Sequence, residues 1–259
     1  MNIMSLTHTL KTAAGTCLMA LGLIGAPFAQ ASVIVAGTRV IYNADANEVT
    51  LKLSNQGGTP ALTQVWIDSG DAKAAPSSVS TPFTVTPPVS RIDPGKAQTL
   101  RIFETGQALP QDKESVFYLN VLEIPPKPTG EDASPNMLQL AFRTRIKLFY
   151  RPVALKDAAS GAPKQLSWRW SHAGDKPGDK PAVSVSNPTP YYVTLASFEI
   201  VDPSGASQAR STDSDMVGPG ETKSLPVTAS VPRAGQVVRY RSINDYGGED
   251  EGKAAIQLP

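Results

Sequence analysis

From Asn136 to Pro152 the sequence reads NMLQLAFRTRIKLFYRP, and its side chains alternate for longer than an ordinary strand needs. Leu138, Leu140, Phe142, Thr144, Ile146, Leu148 and Tyr150 fall on one face of an extended chain, and Gln139, Arg143, Arg145, Lys147 and Arg151 on the other. A period of two predicts a β-strand. About fourteen residues at about 3.3 Å each reach on the order of 45 Å, more than twice the usual strand. Such a strand either crosses a large sheet or protrudes beyond its own fold, so the excess length is itself a functional signal.

The rest of the chain agrees with a β architecture. Its 259 residues, 41% hydrophobic and 18% charged, are enough for one large core or two smaller ones, and length favours two domains. The 23 prolines and 20 glycines punctuate the whole length, and no long stretch carries apolar residues at helical spacing. Short alternating runs follow one another: Ser32 to Tyr42 with Arg39 inside it, Val49 to Ser54, Leu62 to Asp68 around a core Trp66, and Thr99 to Glu104. After Leu155 the chain turns small and polar, then alternation resumes at Leu166 to Trp170, Ala182 to Ser186, Tyr191 to Val201, Thr222 to Val227 and Val237 to Ile243. Turns separate the runs, which is the rhythm of an antiparallel sandwich. Thr86-Pro87-Pro88-Val89 is a candidate for a cis proline, because only X-Pro bonds adopt cis cheaply.

The first 31 residues differ in kind. Lys11, the apolar run Cys17 to Ile24 and the small residues of Ala29-Gln30-Ala31 predict an export signal cleaved after Ala31. A membrane anchor needs about twenty apolar residues, which this run lacks. Removing the leader lowers the 24 Lys and Arg to 23, against 23 Asp and Glu, so the mature chain is neutral and has no global field for nucleic acid or an anionic membrane. The single cysteine, Cys17, leaves with the leader, and no disulfide can form.

Catalytic chemistry has little to work with. His172 is the one histidine of the mature chain and falls in a polar stretch, so a Ser-His-Asp arrangement would hang on a single exposed residue. There is no cysteine nucleophile, no cysteine-histidine metal set and no glycine-rich phosphate loop. The reading is a non-enzyme with no metal and no cofactor. The repeat Gly174-Asp175-Lys176-Pro177 and Gly178-Asp179-Lys180-Pro181 reads as a solvated loop, and Gly248-Glu249-Asp250-Glu251-Gly252 as a surface charge run rather than a cation site.

Four stretches carry a resemblance. Leu109 to Pro126 (LPQDKESVFYLNVLEIPP), the long alternating stretch, Asn187-Pro188-Thr189-Pro190-Tyr191-Tyr192-Val193-Thr194 and Ile243-Asn244-Asp245-Tyr246-Gly247-Gly248 occur in order. Together they resemble the PapD-like family of periplasmic chaperones of the chaperone-usher pilus pathway, over residues 32 to about 248. The resemblance implies two immunoglobulin-like sandwiches joined at an angle, residues 32–151 and 155–259, with Pro152-Val153-Ala154 near the hinge. The short, cysteine-free connection from Lys127 to Asn136 resembles the family's short-loop branch.

It also implies roles. Leu138, Leu140 and Phe142 would be the donor residues that complete an unfinished pilin subunit, where alternation alone would place them in their own core. Arg39 and Lys147 would anchor the subunit's C-terminal carboxylate. Two charge-assisted hydrogen bonds to a sheltered anion contribute roughly 1.5 to 3 kcal/mol each. Glu123, Arg151 and Asp245 would form a salt-bridge triad between the domains. Lys147 and Leu140 have opposite parity, so both roles require a bulge or a sharp twist between them. The partners implied are pilin subunits and an outer-membrane usher in the periplasm, without nucleic acid or membrane insertion, and a self-capping homodimer when free. A secreted immunoglobulin-like adhesin would share the sandwich pattern without needing Arg39 and Lys147, and a secreted hydrolase would need a polar cluster that is not evident.

Overall fold

A computed structural model describes residues 32–126, 139–172, 181–211, 215–227 and 233–258, and the side chain of His172 is not among what it describes. Residues 1–31, where the export leader is expected, Leu138, the short connection and the Gly-Asp-Lys-Pro repeat up to Lys180 therefore lie outside the described residues.

The first sandwich has two sheets. One is ordered β1 (Val33–Val35), β3 (Val49–Asn55), β7 (Ala97–Glu104) and β5 (Phe83–Thr86). The other is ordered β2 (Arg39–Asn43), β9 (Phe142–Arg151), β8 (Ser115–Ile124), β4 (Ala61–Asp68) and β6 (Val89–Ile92). Leu53, Leu100, Ile102, Leu119 and Leu148 are fully buried between them. The single strand expected over Ser32 to Tyr42 is instead two. β1 pairs antiparallel with β3, the chain steps across at residues 36–38, and β2 pairs parallel with β9 in the opposite sheet. The Thr86–Pro87 bond is cis.

Trp66 is buried, but on the side of β4 opposite to Val65 and Ile67, which are the residues that enter the core. Trp66 lines a concavity together with Pro76, Ser77, Val79, Ser80 and Thr81.

Two 3-10 turns, Val153–Leu155 and Ala159–Gln165, lead into the second sandwich. One set of strands is β13 (Ser207–Ser211), β12 (Val193–Val201) and β16 (Val237–Ile243), with β14 (Asp215–Val217) also pairing β12. The other is β10 (Ser167–His172), β11 (Pro181–Ser186) and β15 (Thr222–Pro226). β17 (Glu249–Gln257) joins them, antiparallel to β16 from Glu249 to Ala255 and parallel to β10 at Ile256 and Gln257. Trp168, Trp170, Leu195, Ile200 and Val238 form the second core. His172 thus ends a strand rather than sitting in a loop.

The acidic run read as a surface tail is the start of β17, whose Glu249 and Glu251 lie near Arg241 of β16. Gly252 directly opposes Tyr240, and a Cβ there would lie 2.1 Å from the tyrosine Cζ. Only a glycine lets the ring close over this strand. The cost is an alternation too weak to see in the sequence.

Candidate functional site

The ladder between β2 and β9 puts Arg39 directly opposite Lys147. Two cations as register partners repel, and nothing in an isolated sheet offsets that. The second sandwich supplies partial relief. Arg39 Nη1 donates to the Ile243 carbonyl at 2.9 Å, and Lys147 Nζ donates to Thr194 Oγ1 at 3.3 Å. The relief is incomplete, because Arg39 Nε is buried without a hydrogen-bond partner. Burial, and then the neighbouring Arg39 charge, push Lys147 down to about 8; Asp215 across the junction pulls the other way and Lys223 pushes with them. Burial likewise lowers Arg39, against the pull of Asp245 and Glu114. A half-buried pair of cations with spare donors is a site for an anion.

β9 has ten residues, not the fourteen expected. Its partner β8 ends at Ile124 and is followed by Pro125 and Pro126, which carry no N–H, so residues before Phe142 have no ladder to join. The pairing of β8 with β9 runs without a register shift from Ser115↔Tyr150 to Glu123↔Phe142. The bulge expected between the donor residues and Lys147 is therefore absent, and Phe142 and Lys147 lie on opposite faces. On its other side, β9 is covered by β2 only from Lys147 onward. Residues Phe142–Ile146 consequently present an open edge. Phe142 is 42% exposed and Leu140, just ahead of the strand, 52%, whereas Ile146 and Leu148 on the same face are buried. The structure thus places Leu140 and Phe142 in solvent, and Leu138 lies outside the described residues.

The charge cluster expected around Arg151 forms with one different member. Arg151 Nη1 and Nη2 fork onto Asp245 at 2.6 and 2.9 Å, and its Nε bonds Glu114 Oε1 at 2.7 Å. Glu114 Oε2 also accepts from the Tyr192 backbone N–H at 2.8 Å, while its own N–H donates to the Pro190 carbonyl. Glu123 is not part of this cluster. It accepts from the Val33 N–H at 3.0 Å and from Ser32, tying down the start of β1. The reason is register: extending the β8–β9 pairing one residue past Ser115↔Tyr150 brings Glu114, not Glu123, opposite Arg151. That signal was available in the sequence, in the pairing of ESVFYLN with IKLFYRP. Burial pushes the Glu114 carboxyl up, opposed by Arg151 and the Tyr192 N–H. Burial would lower Arg151, but Asp245 and Glu114 outweigh it and raise it.

The same junction holds Phe149 against Tyr192, ring centroids 5.9 Å apart, and the turn at Gly247 against Thr38. At Gly247 φ is +84°, and a Cβ would come 2.5 Å from Thr38 Oγ1, so both the conformation and the close approach require glycine. A cavity of about 360 Å³ between the sandwiches is lined by Arg39, Phe149, Arg151, Tyr192 and Asp245. A larger concavity lies on the outer face of the second sandwich, where Arg239 and Arg241 already meet Glu199 and Glu251. No group of three or more His, Cys, Asp or Glu able to hold a metal occurs among the described residues.

Comparison with known proteins covers nearly the whole described chain. Residues 32–156 match the family described as pili and flagellar-assembly chaperone, PapD N-terminal domain, and residues 161–254 match pili assembly chaperone PapD, C-terminal domain. The chain is similar to the probable fimbrial chaperone YadV of Escherichia coli strain K12, 45% identical over 229 residues, 87% of this chain and 90% of that protein. The crystal structure of the YadV chaperone superposes with a TM-score of 0.71 at 42% identity, covering 86% of this chain and 99% of that one. A chain in the complex of the Salmonella enterica SafA pilin with the SafB chaperone superposes with a TM-score of 0.67 at 29% identity, covering 88% and 98%.

Proposed function

The chain belongs to the PapD family of pilus-assembly chaperones, and from that membership we propose that it holds a fimbrial subunit on the open edge of β9 and grips the subunit's terminal carboxylate between Arg39 and Lys147. The observation that carries this reading is the place where the open edge stops. β2 is parallel to β9 and begins at Arg39, opposite Lys147. A strand laid on the open edge in line with β2 has its carboxyl end at the two cations if it runs parallel to β9, and its amino end there if it runs antiparallel. The charges therefore select one polarity and one stopping point. Strand addition supplies the backbone hydrogen bonds, as chaperones of pilins are known to do, and Leu138, Leu140 and Phe142 supply apolar side chains for the subunit's groove.

The SafB chaperone's complex with the SafA pilin supports a subunit as the occupant. On this reading the export leader takes the chain to the periplasm, residues 32–151 and 155–259 act as two domains hinged near Pro152, and the loaded chaperone passes its subunit to an outer-membrane usher. The work is binding, with no catalytic step.

The test is Lys147→Ala, with Arg39→Ala beside it. Each should leave a folded protein, since neither removes core volume, yet subunit recovered from periplasm should fall to the level seen without chaperone. Circular dichroism checks the fold. Normal subunit yield from a folded Lys147→Ala protein would remove the anchor.

A further inference from the structure

The carboxylate anchor accounts for two cations on the cleft face of the first sandwich, and the same face carries two more. By strand alternation Arg143, Arg145 and Lys147 point to one side of β9, beside Arg39. Arg145 is held in a built setting. Its Nη2 and Nε fork onto Asp68 at 2.6 and 3.1 Å, its guanidinium lies 3.6 Å from the centroid of the Tyr118 ring, and Asn120 Nδ2 bonds the same Asp68 at 2.7 Å. Asp68 is 1% exposed and Asn120 fully buried, so the acceptor of the fork is held in place. Arg145 Nη1 makes no hydrogen bond among the described residues. Arg143 is exposed and makes no ion pair among them. Arg39, Arg143, Arg145 and Lys147 share this stretch of sheet with Asp68; Asp215, Asp245 and Glu114 act on Lys147 and Arg39 from the junction, which leaves Arg143 without a carboxylate partner among the described residues.

We propose that Arg143 and Arg145 read acidic side chains on the terminal strand of the subunit, at two positions spaced two residues apart and upstream of the carboxylate gripped by Arg39 and Lys147. The inference rests on the strand-addition reading and adds a chemical preference to it. In a ladder, residues opposite one another share a face and lie about 5 Å apart, within reach of an arginine to a carboxylate, and Arg143 and Arg145 are about 7 Å apart along the strand. Arg145, locked by Asp68 and Tyr118, offers its remaining donors in one direction. Arg143 offers a free charge at the mouth of the edge. Exposed pairs of this kind contribute little affinity but discriminate between partners, because a basic residue opposite them is repelled. The occupant is thus an acidic β-strand, not merely any apolar one.

The experiment uses the mature protein and synthetic peptides of one alternating apolar sequence, titrated by fluorescence anisotropy at low and high salt. The peptides end in a free acid or an amide, and carry Glu, Ser or Lys at the two cleft-facing positions. Glu peptides should bind about three- to ten-fold tighter than Ser peptides at low salt, Lys peptides weaker still, with the differences shrinking at high salt. Arg143→Glu, at an exposed position, should reverse the order of Glu and Lys. Lys147→Ala should abolish the difference between acid and amide while leaving the preference for Glu. If Glu, Ser and Lys peptides bind alike, or Arg143→Glu leaves their order unchanged, the inference is wrong even where free acid still beats amide. A preference for Glu with no acid–amide difference would keep the ladder and remove the anchor, and failure of every peptide to bind counts against both. If Arg143→Glu alters only the sedimentation of the free protein, the ladder faces a second copy of this chain and the inference falls.

Discussion

At the scale of single residues the junction is an exercise in holding charge away from water. Lys147 has its pKa near 8 in the folded protein, below the 10.5 of an unburied lysine. Between those two values the unfolded chain holds a proton that the folded chain has released, so raising pH through this window favours folding. We expect the free protein to gain on the order of 2 kcal/mol of stability from pH 8 to 10.5 relative to Lys147→Met, measured by denaturant melts of both proteins. Parallel curves would show that Lys147 is not strained. Binding of a carboxylate should draw the pKa back up, so affinity for a free-acid peptide should fall above pH 8. The carboxylates divide differently from expectation. Glu114→Ala strips Arg151 of one counter-ion and leaves the Tyr192 N–H unpaired, which should cost about 3 kcal/mol. Glu123→Ala should cost less and show instead as faster amide exchange at Val33, whose N–H it accepts. Equal losses from both, with no local exchange at Val33, would argue against this division.

At the scale of the element, β9 is two strands end to end. Its second half is buried on both faces, with Leu148 in the first core and Phe149 against Tyr192 of the second sandwich. Its first half is bare on one edge. We expect Leu140→Glu to abolish subunit binding while the melting temperature of the free protein changes by no more than a few degrees, because at 52% exposure the new charge stays hydrated until a partner would bury it. A fall of roughly 10 °C or more would place Leu140 in its own core, since about 1 kcal/mol moves a domain of this size by several degrees. The apolar edge should also make the wild type self-associate, and the glutamate variant should sediment as a more monomeric species. The alternation of NMLQLAFRTRIKLFYRP made the strand legible, but not where it loses its ladder; that depended on Pro125 and Pro126 ending its neighbour. β17 stayed hidden for the opposite reason: its inward positions are Gly252, Ala254 and Ile256, and the first two are too small to register as apolar. The family resemblance pointed to Arg39, Lys147, Arg151 and Asp245, and only the cross-strand register distinguishes Glu114 from Glu123.

At the scale of the molecule, two cores are joined by a charged clasp of few members. Arg151 has a side chain 5% exposed and touches both sandwiches, through Glu114 in the first and Asp245 in the second. Arg151→Ala leaves two carboxylates without their cation, and we expect a broader distance distribution in small-angle scattering together with a lower melting temperature. Unchanged scattering and melting would make the clasp idle. The step of the first strand from one sheet to the other also sets an order of events. Arg39 and Lys147 are 108 positions apart in the sequence, and the Ile243 carbonyl that receives Arg39 comes later still. A chain growing from its N-terminus holds Arg39 long before it holds either partner, and contacts so distant form late. If Arg39 and Lys147 grip a subunit as proposed, a partly made chain has no anchor, and the grip arises in the same closure that completes the fold.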